Sequence, residues 1–367
     1  MFNKQSLKDA NVRGQTVLVR VDYNVPIKDG QITDDLRIRE TIPTLELLEK
    51  KGARRIILIS HLGRPEGEKK PDLSLAPVAE RLKALLPERK VFFVNDVSGP
   101  DVEDAVEKLP VGGILLLENL RFFAGEESNS SEFAREIAES THADIFVQDG
   151  FAVIHRAHAS TSAITSELAS IAGPLLEKEV TSLSKLITNP THPFIVIIGG
   201  AKVEDKEPLI KKLLPLADKI IVGGKIAADI ADHQVEDLAK TVGNTDKIYI
   251  ASDFVTDESG AKLDVADASV KEILDLLSSA KTVLWNGTLG LVENPDYAKG
   301  STALAEYLGH HPEIYSVICG GDTTGFVEGL QKSDSSLEYG LISTGGGAAL
   351  ELLCGEALPG LDSLDDK

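Results

Sequence analysis

Cationic and hydroxyl-binding side chains recur at the downstream ends of short apolar runs. Arg20, Asp22 and Asn24 fall in RVDYNVP, where the run TVLVRV ends. His61, Gly63 and Arg64 fall in SHLGRP, after RIILIS. Asn119 and Arg121 fall in ENLRF, and Asp149, His155, Arg156 and His158 follow the run IFV. Arg37 is read as part of a loop-rich segment before the first helix. A guanidinium grips a phosphate or carboxylate through two parallel hydrogen bonds. Asp22 and Asn24 suit a hydroxyl. The set describes a pocket for a small, multiply charged acid that bears an alcohol. His155 and His158 have no Cys or carboxylate at metal-ligand spacing, so anion binding ranks above a metal site.

The second half of the chain carries different chemistry. Gly199-Gly200 lead into Lys202 and Lys206 in GGAKVEDKEP. Gly223-Gly224, Asn286-Gly287, Gly320-Gly321-Asp322-Thr323 and Gly345-Gly346-Gly347 each follow an apolar run, and Glu293 lies beyond the second of these. Glycine lets backbone approach a ligand closely. Amides at a helix start lack intrahelical partners and attract anions, phosphate above all. Lys202 and Lys206 share one face if a helix begins there. Glycines for phosphates, lysines for charge, Asp322 for a cation and Glu293 for ribose hydroxyls fit a nucleotide with magnesium. One carboxylate is enough for magnesium when phosphate oxygens complete its shell. Neither a P-loop nor a G-x-G-x-x-G fingerprint occurs, so a dinucleotide fold has no support.

These residues need a scaffold that presents them at one edge. Apolar runs at Thr16–Val21, Arg55–Ser60, Val91–Val94, Ile114–Leu117 and Ile145–Val147 predict strands. Helices are predicted over Arg39–Lys50, Leu75–Leu86 and Ser131–Glu139, with Pro77 tolerable in a first turn. Leu175–Leu186 reads as a helix between two halves. Strands then restart at Phe194–Ile198, Ile220–Val222, Ile248–Ile250, Thr282–Trp285, Tyr315–Cys319 and Leu341-Ile342, with a helix from Ala348 to Leu353. The acidic tail Leu358–Lys367 reads as loop. Strand and helix in alternation imply an α/β protein with parallel sheets covered on both faces. In such sheets ligands sit beyond the carboxyl ends of the strands.

The 367 residues suffice for roughly two domains of ~150 each. The net charge of −20 argues against nucleic acid and makes local cationic clusters informative. No apolar run reaches the ~18 residues of a membrane helix, and the first residues lack the apolar core of a secretory signal. Cys319 and Cys354 read as buried free thiols, which fits a cytoplasmic protein.

RVDYNVP, SHLGRP, ENLRF, HRAHAST, GGAKVEDK, WNG, GGDT and STGGGAALELL resemble the phosphoglycerate kinase family, in that family's order and approximate spacing over nearly the whole chain. The resemblance implies two doubly wound, Rossmann-like α/β domains facing each other across a cleft, 1–172 and 173–351, joined by a helix. The tail from about 352 to 367 would pack back on the first. It implies reversible phosphoryl transfer between 1,3-bisphosphoglycerate and ADP, giving 3-phosphoglycerate and MgATP after closure. Arg20, Asp22, Tyr23, Asn24, Arg37, His61, Leu62, Gly63, Arg64, Arg121, Arg156 and His158 would hold the acid. Gly200, Ala201, Lys206, Gly223, Gly224, Asn286, Leu291, Glu293, Gly320, Gly321, Asp322 and Thr323 would hold the nucleotide, with Asp322 at Mg2+. Arg37, Lys202, Lys206, Gly345, Gly346 and Gly347 would surround the phosphoryl group in flight. The likeness also implies a cytoplasmic monomer acting on small molecules, with no nucleic-acid or membrane partner.

The chain departs from the family pattern in places. Gln148-Asp149-Gly150-Phe151-Ala152 stands for N-D-A-F-G, Thr288 for the proline of W-N-G-P, and Leu341 for a histidine. The glycine triplet after Ile221 is a pair followed by Lys225, and a D-I-G-P-x-T segment is missing. The departures cluster near the base and hinge. Two rival readings stand beside this one: a nucleotide-binding protein without catalysis on the same scaffold, and a dehydrogenase.

Overall fold

The computed structural model describes residues 2–200, 206–232 and 245–367. The chain forms two compact units, Met1–Thr181 with Ala357–Lys367, and Ser182–Glu356. The helix Pro174–Thr188 contains the division between them.

The first unit is built on six parallel strands. From edge to edge they are Val91–Phe93, Gly113–Leu116, Arg55–Ile59, Thr16–Arg20, Ile145–Gln148 and Ser170–Ala172. All five residues of Thr16–Arg20 are buried, as expected of a strand covered on both faces. Arg20 is in register with Ile59 on one side and Gln148 on the other. The segments leaving Arg20, Ile59 and Leu116 therefore emerge side by side, and these carry most of the predicted acid-binding residues, while Arg156 and His158 follow Gln148 on the other side of Arg20.

The expected helix Arg39–Lys50 is in fact two, Leu36–Glu40 and Ile42–Lys50. Pro43 has no N–H to return to residue 39, so the run breaks at Thr41, whose hydroxyl donates to the Ile38 carbonyl at 2.8 Å. Arg37 consequently lies in a helical turn, not in a loop. The turn begins where Asp34 Oδ1 accepts the Leu36 amide at 3.0 Å. The edge strand Ser170–Ala172 and the helix Pro100–Lys108 were not anticipated. The first is only three residues long, and the second buries only Val102 and Val106. The tail is not plain loop either. It forms a turn of helix at Pro359–Asp362, and a bridge pairs Asp366 with Lys4.

The second unit has its own parallel six-stranded sheet. Its order is Ile248–Ile250, Lys219–Val222, Phe194–Ile198, Thr282–Asn286, Tyr315–Cys319 and Leu341–Ile342. The last four are neighbours, so four of the glycine-bearing turns leave the same edge together. An antiparallel pair, Phe254–Thr256 with Lys262–Val265, lies outside this sheet and was not foreseen. Cys319 is buried as expected, whereas Cys354, in the last turn of the helix Gly347–Cys354, is only half-buried.

Candidate functional site

In the first unit the predicted cations converge on one imidazole. His61 is buried and is held well below the usual histidine range, first by burial and then by the fields of Arg20, Arg121, Arg37 and Arg156. Arg20 donates to His61 Nδ1 at 3.2 Å. An arginine is donor only, so Nδ1 accepts and the ring proton sits on Nε2. Asp22 Oδ1 lies 3.7 Å from the same nitrogen.

Arg37 Nη1 reaches Asp22 Oδ2 at 2.8 Å and the Asn24 carbonyl at 3.0 Å. Asn24 Oδ1 accepts the Gly63 amide at 2.9 Å, and Arg121 Nη1 donates to the Gly63 carbonyl at 2.8 Å. Asn119 fastens the adjoining loop, accepting the amides of Leu62 at 3.2 Å and Arg121 at 3.1 Å. These contacts tie three strand ends into one cluster. Arg156 Nε donates to His155 Nε2 at 3.1 Å, and burial with the Arg156 charge pushes the His155 imidazole down to about 4.

Three predicted residues sit differently. The Tyr23 side chain is fully buried with its hydroxyl on Thr41 at 2.9 Å, and Leu62 is packed in the core. Arg64 is exposed and forms no ion pair among the described residues. Sequence reasoning missed Glu126 and Ser160, which are fully buried against this cluster. A glutamate beside Glu127 in FFAGEES gives no sign that one of the two points inward.

In the second unit two adjoining cavities open where the glycine turns meet. One, of about 340 Å³, is lined by Lys206, Gly287, Gly320, Thr323, Gly346 and Gly347, among others. The other, of about 190 Å³, is lined by Lys225, Lys262, Leu263, Gly290, Leu291 and Glu293. Gly200, Thr288 and Asp322 border both. Lys206 donates to Asn286 Oδ1. Asn286 is fully buried, and its Nδ2 has no hydrogen-bond partner among the described residues. An orphaned donor of this kind points to an absent acceptor.

Some glycines are also required by the close packing of the backbone itself. Gly287 has φ +101°, and a Cβ there would lie 2.1 Å from the Gly199 carbonyl oxygen. Gly224 is pressed against the Thr288 carbonyl in the same way, and a Cβ on Gly223 would strike Leu289. The Gly345 amide is committed to Ser343 Oγ at 3.1 Å, so of the triplet Gly346 and Gly347 face the cavity. The helix expected to carry both lysines starts at Glu207, with Lys206 just before it. Ala201 and Lys202 lie outside the described residues.

A family model for phosphoglycerate kinase matches residues 7–262 and 232–356. The chain belongs to the phosphoglycerate kinase family. Among solved structures, the phosphoglycerate kinase from Coxiella burnetii is similar to it at 32% identity and a TM-score of 0.80, covering 98% of each chain. The phosphoglycerate kinase from Pyrococcus horikoshii OT3 is similar at 28% identity and a TM-score of 0.83, covering 99% of this chain and 98% of that one. The activity is that of phosphoglycerate kinases: reversible, ATP/ADP-dependent phosphoryl transfer between 1,3-bisphosphoglycerate and ADP, giving 3-phosphoglycerate and ATP in glycolysis and gluconeogenesis.

Proposed function

We propose that the cluster around His61 holds the glycerate acid and that the two cavities of the second unit hold the nucleotide. The observation that carries this reading is the convergence of Arg20, Arg37, Arg121 and Arg156 on His61 in a protein of net charge −20. Four guanidiniums gathered at one place repel one another, and a dianionic ligand relieves that repulsion. Asp22 and Asn24 take the substrate hydroxyl. His61, Arg121, Arg156, His158 and the exposed Arg64 take its phosphate and carboxylate.

On the nucleotide side, the larger cavity takes the phosphates through Lys206, Asn286 and the amides of the Gly320–Thr323 turn. The smaller takes the base and ribose against Leu291, which is 45% exposed, and Glu293. Asp322 borders both cavities and fits magnesium. Among the described residues there is no group of three or more His, Cys, Asp or Glu able to hold a metal by itself, and nucleotide-bound magnesium needs only one or two carboxylates. When bound, magnesium neutralises phosphate oxygens.

Transfer is direct and in-line. The acyl phosphate is already activated, so no base is needed when ADP is the acceptor. Catalysis consists of positioning and of neutralising charge on the equatorial oxygens. Arg37, Lys202, Lys206, Gly346 and Gly347 supply that field. The acid and the nucleotide are held by different units, so turnover requires a closed state that excludes water. The protein acts as a cytoplasmic monomer on small molecules. Among the described residues no helix is long and apolar enough to cross a membrane.

Calorimetric titration tests the assignment. Arg121→Ala should lose affinity for 3-phosphoglycerate while binding MgADP normally, and Leu291→Asp should do the reverse. Two variants that each bind both ligands like the parent refute it.

A further inference from the structure

Beneath the basic cluster of the first unit lies a carboxylate that the reaction chemistry does not use. Glu126 is fully buried, in the helical turn Ala124–Glu127. Its oxygens accept the Ser160 amide at 3.0 Å and the Ser160 hydroxyl at 2.6 Å. Oε1 is also 3.7 Å from His158 Nδ1. Ser160 has one hydroxyl proton and gives it to Glu126, so toward Arg20 it only accepts, and Arg20 Nε donates to it at 2.8 Å. Arg20 then donates to His61 Nδ1 at 3.2 Å. An ionised carboxylate accepts and never donates, so Glu126 directs the Ser160 proton, and Ser160 in turn holds the guanidinium whose donors keep the His61 proton on Nε2. Burial pushes the Glu126 carboxyl up, but His158, Arg20 and Ser160 outweigh it and leave the group below the usual carboxylate range.

We propose that Glu126 is a positioning residue for the acid substrate: through Ser160 and Arg20 it fixes the Arg20 guanidinium and keeps the His61 proton on Nε2. The inference rests on the reading of Arg20, His61 and His158 as acid-holding groups. Stability alone does not call for such a residue, because buried ion pairs replaced by apolar groups of similar volume are often neutral or stabilising. Order is what the row supplies. An arginine free to rotate, beside a histidine free to exchange tautomers, presents several arrangements of donors to a substrate that needs one.

Glu126→Gln keeps the volume and removes the charge. A carboxamide has one acceptor atom where the carboxylate offers Ser160 two, so one of the two bonds is lost and the hold on Ser160, and through it on Arg20, is weakened. The KM for 3-phosphoglycerate should rise about tenfold, with the KM for ATP unchanged. The ring 15N shifts of His61 should move from the Nε2–H tautomer toward a mixture. Ser160→Ala cuts the same row and should give changes of the same sign, and the double variant should show no further loss. If Glu126→Gln lowers only the melting temperature, with KM and the His61 tautomer as in the parent, the proposal fails. If that variant does not fold, Ser160→Ala decides alone, and an unchanged KM and tautomer overturn it. Arg121→Ala and His61→Ala run in the same assay report on the underlying assignment. If neither raises the KM for the acid, that assignment has failed rather than the role of Glu126.

Discussion

Asp149 Oδ1 accepts the amide of Leu175 at 2.9 Å and lies 3.3 Å from that of Leu176. These are unpartnered donors in the first turn of the helix Pro174–Thr188, and a side chain from a neighbouring strand end satisfies them. Thr44 donates to the other oxygen at 2.6 Å. A Cβ on Gly173 would lie 2.1 Å from Asp149 Oδ1, so a glycine before the helix makes room for the carboxylate. Burial pushes Asp149 up to about 6, against the pull of Thr44 and the two amides, and the charge of Glu40 adds to the rise.

That value fixes the sign of a pH effect. The folded pKa, about 6, lies above the ordinary carboxylate value of 3.8. The stabilisation is therefore fully present below the unfolded value and is lost as pH rises through about 6. Asp149→Asn should remove a slope worth about 3 kcal/mol between about pH 4 and 6.5. Urea unfolding of parent and variant across that window measures it. Parallel pH profiles would show that Asp149 does not titrate there.

Arg37→Ala removes a half-buried guanidinium that holds Asp22 and the Asn24 carbonyl. A group acting on charge in the transition state is worth about 10²- to 10³-fold in kcat. That drop is expected here with the fold retained, and the same drop is expected for Lys202→Ala. A coupled assay for ATP formation reads both. Near-normal kcat in the two variants would remove these residues from the transfer step.

Asp322→Asn tests the cation. The magnesium concentration for half-maximal rate should rise about tenfold, the effect of losing one charged ligand contact. The affinity for 3-phosphoglycerate without nucleotide should not change. An unshifted magnesium curve would place the metal elsewhere.

Gly287→Ala addresses the close backbone packing of the second unit. The new methyl meets the Gly199 carbonyl at a residue with φ +101°, so neither space nor conformation accommodates it. A loss of at least about 3 kcal/mol is expected in denaturant unfolding. Gly346→Ala should cost less, because a Cβ there meets nothing within 4 Å. Equal losses in both would mean that conformation alone, not crowding, sets the cost.

Most strands of the two six-stranded sheets were legible because each is a short apolar run, and a parallel strand covered on both faces leaves no other pattern; the three-residue edge strand Ser170–Ala172 was too short to stand out. Thr16–Arg20 and Phe194–Ile198 are both buried at every position. The cationic residues were legible because they stand where such runs stop. What escaped was set by packing rather than by local pattern. The break at Thr41 follows from one proline, and the inward turn of Glu126 depends on Ser160, far off in the chain. Gly199, Gly223, Gly224 and Gly287 read as ligand cradles, and nothing in the sequence signals that neighbouring backbone and side chains also fill the space where a Cβ would stand. A glycine reports that something comes close, and only the fold tells whether it is phosphate or another peptide.

Residues Ala357–Lys367 belong to the first unit although the second lies between them in sequence. Asp365 takes the Ser170 amide at 2.8 Å and donates its own N–H to the Ser170 carbonyl at 3.0 Å, while Leu358 and Leu364 are buried. On the ribosome the Ser170 contacts of this segment form only after the whole of Ser182–Glu356 has been made. The unit that is begun first is thus the last to be completed, and its half-made state must survive the synthesis of the whole of the other.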